Sequence, residues 1–480
     1  MCSMADLSAS SRPAATLPPG HPDPVPALAA LPPPALPLGF LAAAAPGLAA
    51  CGGALIWARG VAATDPTADP VVVAVHLAVL ATLTTGVLGA LHQFIPLLTH
   101  RPLLSHRLAW ATLGCWVPAA WLLPLGVATE SPPTVEAGGA LATLAVALSC
   151  TNLLPPLRLS GGGPSLVGLR VALCGFGATV AYGAVYVADR RTGWFHLSGQ
   201  LVLAHAVVGL FAWLGLTYLA VAERLWPMFL MARAPTGRRA PWLAIGAVPA
   251  GIALLSPGLL VGLPALAWPG AALLGLGLSA HLASLLHHLR HRRGTAGVEV
   301  AFVVTSAAWV PVAAGLGLAA TLVIGRAHHA GVALSAAAVA AACAWLLQVL
   351  VGLSQKVGAF MVWPLLRGRT TLRGPDGRHL QFSDLYDRRL AWLSYAALTC
   401  GFGSLCVGLA GSSQPLIGLA GVLLIATALL TATNLTATTV RRLAASRRTG
   451  GPPGPVPEGR AASGSGRASP STKGSRRRPQ

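Results

Sequence analysis

The sequence predicts an all-α polytopic membrane protein with about twelve transmembrane helices in three pseudo-repeats of four. Three observations predict it. The chain is 54% hydrophobic and only 10% charged over 480 residues, with a mean hydropathy of +0.66. A water-soluble fold of that length could not hide so much apolar surface. Its basic residues concentrate in alternate loops. A motif in which an apolar run ends in two polar residues recurs every four spans. Strand-period alternation of the porin kind is absent, which argues against a barrel.

Residues 1–35 are rich in Pro and Ala. They lack the basic start and short apolar core of a cleaved signal, so they read as a disordered cytoplasmic tail. Apolar runs long enough to cross ~30 Å of hydrocarbon then follow near 36–58, 70–98, 108–128, 134–156, 165–188 and 194–231. Six more lie near 240–262, 264–286, 298–324, 331–365, 390–411 and 414–438. The sixth and tenth are long enough to tilt or to project from the bilayer. Residues 439–480 form a basic tail that reads as disordered, with anionic headgroups as its natural attraction. The transmembrane domain is thus 36–438.

With the N-terminus inside, the inner loops carry fifteen Arg and the outer loops four: Arg59, Arg190, Arg191 and Arg326. That bias places both termini in the cytoplasm of a cell-membrane protein. It also explains the net charge of +20 as topology rather than as a nucleic-acid surface. The expected partner is the bilayer, with room for a redox partner or a second membrane subunit, and no nucleic acid. The eight cysteines show no CxxC pair and read as small buried hydrophobes.

The repeat appears when "GALHQFIPLL" (89–98), "AVAERLWPMF" (220–229) and "GLSQKVGAFM" (352–361) are aligned on Pro96, Pro227 and Ala359. The polar pairs are His92-Gln93, Glu223-Arg224 and Gln355-Lys356, and the offsets are 131 and 132 residues. "AWL" recurs in the same register at 212–214 and 344–346. Spans two, six and ten are then equivalent. Ionisable groups within a span are costly and need a reason. His92, Glu223, Arg224 and Lys356 are candidates for a proton or ion path; snorkelling to the inner interface accounts for the same placement.

Twelve spans in three arcs of four resemble the haem–copper oxidase subunit I superfamily. The segments that carry the resemblance are "HLAVLATLTTGVLGALHQFIPLLTHRPLLS", "AHAVVGLFAWLGLTYLAVAERLWPMFL" (204–230) and "AWLLQVLVGLSQKVGAFMVW" (344–363), similar to second, sixth and tenth spans. "HAVVG" and "LLTHRPLLSHRL" are similar to the NnrS-like proteins, haem- and copper-containing membrane proteins linked to nitric oxide stress. The resemblance implies haem as cofactor and leaves room for copper. It assigns His76 the place of the second-span haem ligand and His205 that of the sixth-span copper ligand. The chain departs from the pattern on the seventh span, which has no histidine, and on the tenth, where His328 and His329 stand only at the outer edge. A complete oxygen-reducing centre is therefore not expected.

A neutral imidazole is a common haem and metal ligand and brings no charge into the bilayer. His76 and His205 are the cofactor-binding candidates, and His205, His328 and His329 the metal candidates; each has a plain hydrogen-bonded or interfacial alternative. "HLASLLHHLRHRR" (281–293) reads as an inner helix end with a basic, His-rich loop. No nucleophile triad, carboxylate pair or phosphate loop is present. Two functions follow: a haem-binding protein in electron transfer or in the response to nitric oxide or another diatomic gas, or a cofactor-free permease or structural membrane protein that keeps the fold.

Overall fold

The computed structural model describes residues 31–194, 198–230, 232, 239–293, 297–367 and 385–438. Most of the predicted N-terminal tail and all of the basic C-terminal tail lie outside the described residues. Twelve helices are long and apolar enough to cross a membrane. They are α1 (Ala35–Ala58), α2 (Asp69–Thr99), α3 (His106–Ala128), α4 (Pro132–Arg158), α5 (Pro164–Asp189) and α6 (Leu201–Met228). The second half comprises α7 (Arg239–Leu260), α8 (Pro264–Arg290), α9 (Val298–Val323), α10 (His328–Gln355), α11 (Arg388–Ala410) and α12 (Gln414–Thr436). Ten of the predicted spans agree with these within a few residues; the sixth, predicted over 194–231, and the tenth, over 331–365, extend further than Leu201–Met228 and His328–Gln355. Starts are set by local chemistry: prolines at the first turns of α4, α5 and α8 occupy positions whose N–H has no helical partner. Ser105 and Asp387 cap α3 and α11 by accepting hydrogen bonds from the first-turn amides.

Neighbouring spans pack as antiparallel pairs, and α1 packs against α12, so the chain's first and last spans meet. That seam is close: a Cβ added to Gly52 or to Gly421 would lie 2.4 Å from the other glycine's carbonyl oxygen. In lipid, where burial of apolar surface does not drive helices together, such small-residue approaches are a main source of association.

Helices α2, α6 and α10 meet at the centre. The Trp213 indole of α6 donates to Thr84 Oγ1 of α2 at 3.3 Å. Gly86 of α2 receives Leu350 of α10, and Gly215 of α6 receives the Trp345 ring of α10. From outside, Trp116 of α3 donates to Thr85 at 3.0 Å. Two of the three central helices are widened into π-helix, over Leu77–Thr84 and Val208–Gly215. These segments have the same length and start 131 residues apart, the offset of the sequence motif.

A second correspondence lies at the inner ends. The Ser105 N–H donates to Asn152 Oδ1 at 2.9 Å, joining α3 to α4. The Asp387 N–H donates to Asn434 Oδ1 at 2.7 Å, joining α11 to α12. Both clamps span 47 residues. The helices they start read "HRLAW" (106–110) and "RRLAW" (388–392), and α7 begins within "RRAPW" (238–242). Trp110, Trp242 and Trp392 are exposed to similar extents, 43%, 41% and 44%, as suits indoles at a membrane interface.

Candidate functional site

Because spans alternate in direction, α2, α6 and α10 all begin on one face of the membrane. His76 lies in the second turn of α2, about 10 Å below its start by helical rise. It is half-buried, and its Nδ1 lies 2.8 Å from the Val72 carbonyl. Donation from Nδ1 fixes the tautomer and leaves Nε2 with a free lone pair, the arrangement of a ligating imidazole. The π segment of α2 begins at the next residue.

His205 is also half-buried and stands three residues before the π segment of α6. Its Nδ1 is buried without a hydrogen-bond partner. The ring lies beside Thr179 and Gly183 of α5; a Cβ on Gly183 would come 3.5 Å from Cε1. His76 and His205 are close enough to interact electrostatically. The two cofactor-ligand candidates thus stand toward the same face on two of the central helices, each beside a π segment. Such π segments recur at functional sites, because the extra residue re-aims the side chains around it.

His328 and His329 sit exposed in the first turn of α10, their rings 6.0 Å apart. They share the membrane face of His76 and His205. Among the described residues, no three His, Cys, Asp or Glu side chains gather to hold a metal ion.

The predicted path residues lie toward the opposite face. His92 is fully buried, with Nδ1 2.7 Å from the Leu88 carbonyl, its ring stacked on Phe40 and its Nε2 unpartnered. Glu223 is half-buried and interacts electrostatically with Tyr218; Arg224 is exposed. Lys356 follows Gln355 on the helix that continues from α10 to Arg367, but its side chain lies outside the described residues. Gln355 itself accepts from Asn434 Nδ2 at 2.7 Å.

The sequence reading missed a polar cluster between α6 and α8. Tyr218 Oη receives the Trp226 indole N–H at 3.3 Å and lies 3.1 Å from His281 Nε2. Trp345 of α10 packs edge-on against the Tyr218 ring. His281 and His288 are 3% and 2% exposed, and each has a buried Nδ1 without a partner. The available signal was spacing: seven residues is two helical turns, which puts both imidazoles on one face of α8.

No model of a known protein family matches the chain, and no curated protein does. The similarity is structural. A heme-copper terminal oxidase, solved by cryo-EM as a dimer, superposes with a TM-score of 0.51 over 85% of this chain and 82% of its own, at 12% identity. The chain has an oxidase subunit I-like fold. Identity this low establishes the oxidase-like bundle and not its cofactors. Within that bundle the site rests on the residues described above: His76 and His205 toward one face, and Tyr218, His281 and Glu223 deeper in the other half.

Proposed function

We propose that this multi-pass protein binds haem between α2 and α6 in the cell membrane, with both termini cytoplasmic, and serves electron transfer or the binding of a diatomic gas such as nitric oxide. The observation that carries the reading is the pair His76 and His205. One ring nitrogen of His76 is tied to a backbone carbonyl, which leaves the other free to ligate. The partner ring holds a buried nitrogen that no protein group satisfies. A buried unsatisfied polar atom costs about 1–3 kcal/mol, and ligation is a use that offsets that cost.

His76 and His205 would hold the haem. Bound there, haem supplies one-electron chemistry and an iron site for a diatomic ligand. The chain's own residues do the rest. The Val72 carbonyl orients the His76 ring. Gly183 leaves space beside His205. The packed apolar π segments keep water from the inner side of the pair. In the deeper half, Glu223, Tyr218, His281 and His288, with His92 on the neighbouring helix, would carry a proton or ion path. In a copper-binding alternative, His205 would ligate the metal rather than the haem, with His328 and His329 at the same face. The electron donor would be a separate redox protein or membrane subunit.

The test is an absorption spectrum of the full chain purified with haem supplied. A Soret band is expected, weakened in His76→Ala and in His205→Ala. A colourless preparation overturns the proposal. The lack of a histidine on the seventh span favours a second reading, a cofactor-free permease or structural protein. That reading predicts no Soret band, and transport into proteoliposomes that is lost in Glu223→Gln.

A further inference from the structure

The seam between α1 and α12 changes character along its length. Deep in the membrane it is shut by Gly52 and Gly421. Toward the end of α1 and the start of α12 it opens into a groove of about 390 Å³, lined by Ile56, Arg59, Gln414, Pro415, Gly418 and Val422. The groove is graded. Ile56, Gly418 and Val422 lie within the spans and make an apolar wall. Arg59 directly follows α1 and Gln414 begins α12, so both stand at headgroup level.

Arg59 is exposed, and its stem crosses Gly418, with Cδ 3.6 Å from where a Cβ would stand. One guanidinium nitrogen donates to the Ile56 carbonyl at 2.9 Å. That bond occupies one of five N–H donors and steadies the cation at the lip. A guanidinium at the mouth of an apolar groove complements a phosphate on an acyl chain: bidentate N–H donors above, hydrocarbon contact below. The Gln414 amide adds a donor beside it. A zwitterionic lipid would bring its own cation to the same lip, so charge complementarity selects an anionic lipid.

We propose that this groove is a binding site for one anionic phospholipid, its phosphate held by Arg59 and an acyl chain laid against Ile56, Gly418 and Val422. Seated there, the lipid bridges the first and last spans, which no loop connects. The site is independent of haem.

Native mass spectrometry of the full chain, with phosphatidylglycerol and phosphatidylcholine titrated separately, tests it. The wild type is expected to retain one phosphatidylglycerol in preference to phosphatidylcholine by about fivefold, the effect of one basic residue at a membrane surface. Arg59→Gln should abolish the preference. Gly418→Leu, which fills the groove, should reduce retention of both lipids. Arg326→Gln removes another exposed cation predicted on the same side, and should change nothing. Equal retention of the two lipids by the wild type, or equal losses in Arg59→Gln and Arg326→Gln, overturns the proposal. Should Arg59→Gln fail to fold, Gly418→Leu against wild type decides: unchanged retention overturns the site.

Discussion

The hairpins α3–α4 and α11–α12 solve a packing problem in one way, and α7–α8 solves it in another. In the outer two, the end of the second helix carries an asparagine that clamps the start of the first: Asn152 holds the Ser105 amide and Asn434 holds the Asp387 amide. One turn earlier stand small hydroxyls, Ser149 bonded to the Ala145 carbonyl and Thr431 to Ser394. In the middle hairpin, "LLHHLR" (285–290) stands where the first has "LLPPLR" (153–158). In that register Asn152 becomes Ser284, Ser149 becomes His281 and Pro156 becomes His288. The outer hairpins fill their polar slots with groups that are mostly satisfied locally. The middle one fills them with imidazoles, one reaching Tyr218 on a central helix and both keeping a buried nitrogen unused. Polar residues at matching depths thus serve as fasteners in two hairpins and as open valences in the third.

Removing a fastener should have the largest effect. Asn434 donates to Gln355 Oε1 and to the Asp387 carbonyl and accepts from the Asp387 amide. Asn434→Ala strips all three in a fully buried setting and should cost about 3 kcal/mol. Asn152→Ala should cost about half as much, because Asn152 Nδ2 already lacks a partner. Unfolding midpoints of the detergent-solubilised variants measure both. Equal costs would show that the two clamps do not differ in the way their hydrogen bonds do.

The same contrast shows what a sequence discloses. The twelve helices were legible because crossing hydrocarbon demands ~20 apolar residues and the demand repeats twelve times. His76 and His205 stood out as candidates because an imidazole is conspicuous in such a run. The π segments left no trace, since Leu77–Thr84 and Val208–Gly215 are as apolar as any α-helical stretch. The clamps were hidden because their partners lie 47 residues apart across a hairpin, outside any helical period. His281 and His288 were masked by the basic loop that follows them: "HHLRHRR" reads as a solvated end, yet two of its neighbourhood's imidazoles point into the bundle.

An intermediate effect belongs to His281. In His281→Phe the ring remains and keeps its edge-on contact with Tyr218, while the hydrogen bond to Tyr218 Oη is lost. Tyr218 still accepts from Trp226, so the loss should be about 1 kcal/mol, the net worth of one hydrogen bond. An unfolding midpoint as low as that of Asn434→Ala would make His281 a fastener after all and erase the distinction between the hairpins.

The smallest and most discriminating change is His288→Leu. An imidazole 2% exposed with an unsatisfied Nδ1 carries a desolvation penalty that leucine does not. Replacing such a group by an apolar one of similar size is near neutral or stabilising, by up to about 1 kcal/mol. The expected unfolding midpoint is therefore equal to wild type or slightly higher. Asn434→Ala moves the opposite way, although both positions are buried and polar at the same end of the bundle. A fall of more than about 1 kcal/mol in His288→Leu would mean that its nitrogen is engaged in the folded protein, and the middle hairpin would then join the other two. A rise would mean that the chain keeps an imidazole there at a cost to stability, which is what a group held for proton or ion transfer rather than for packing requires.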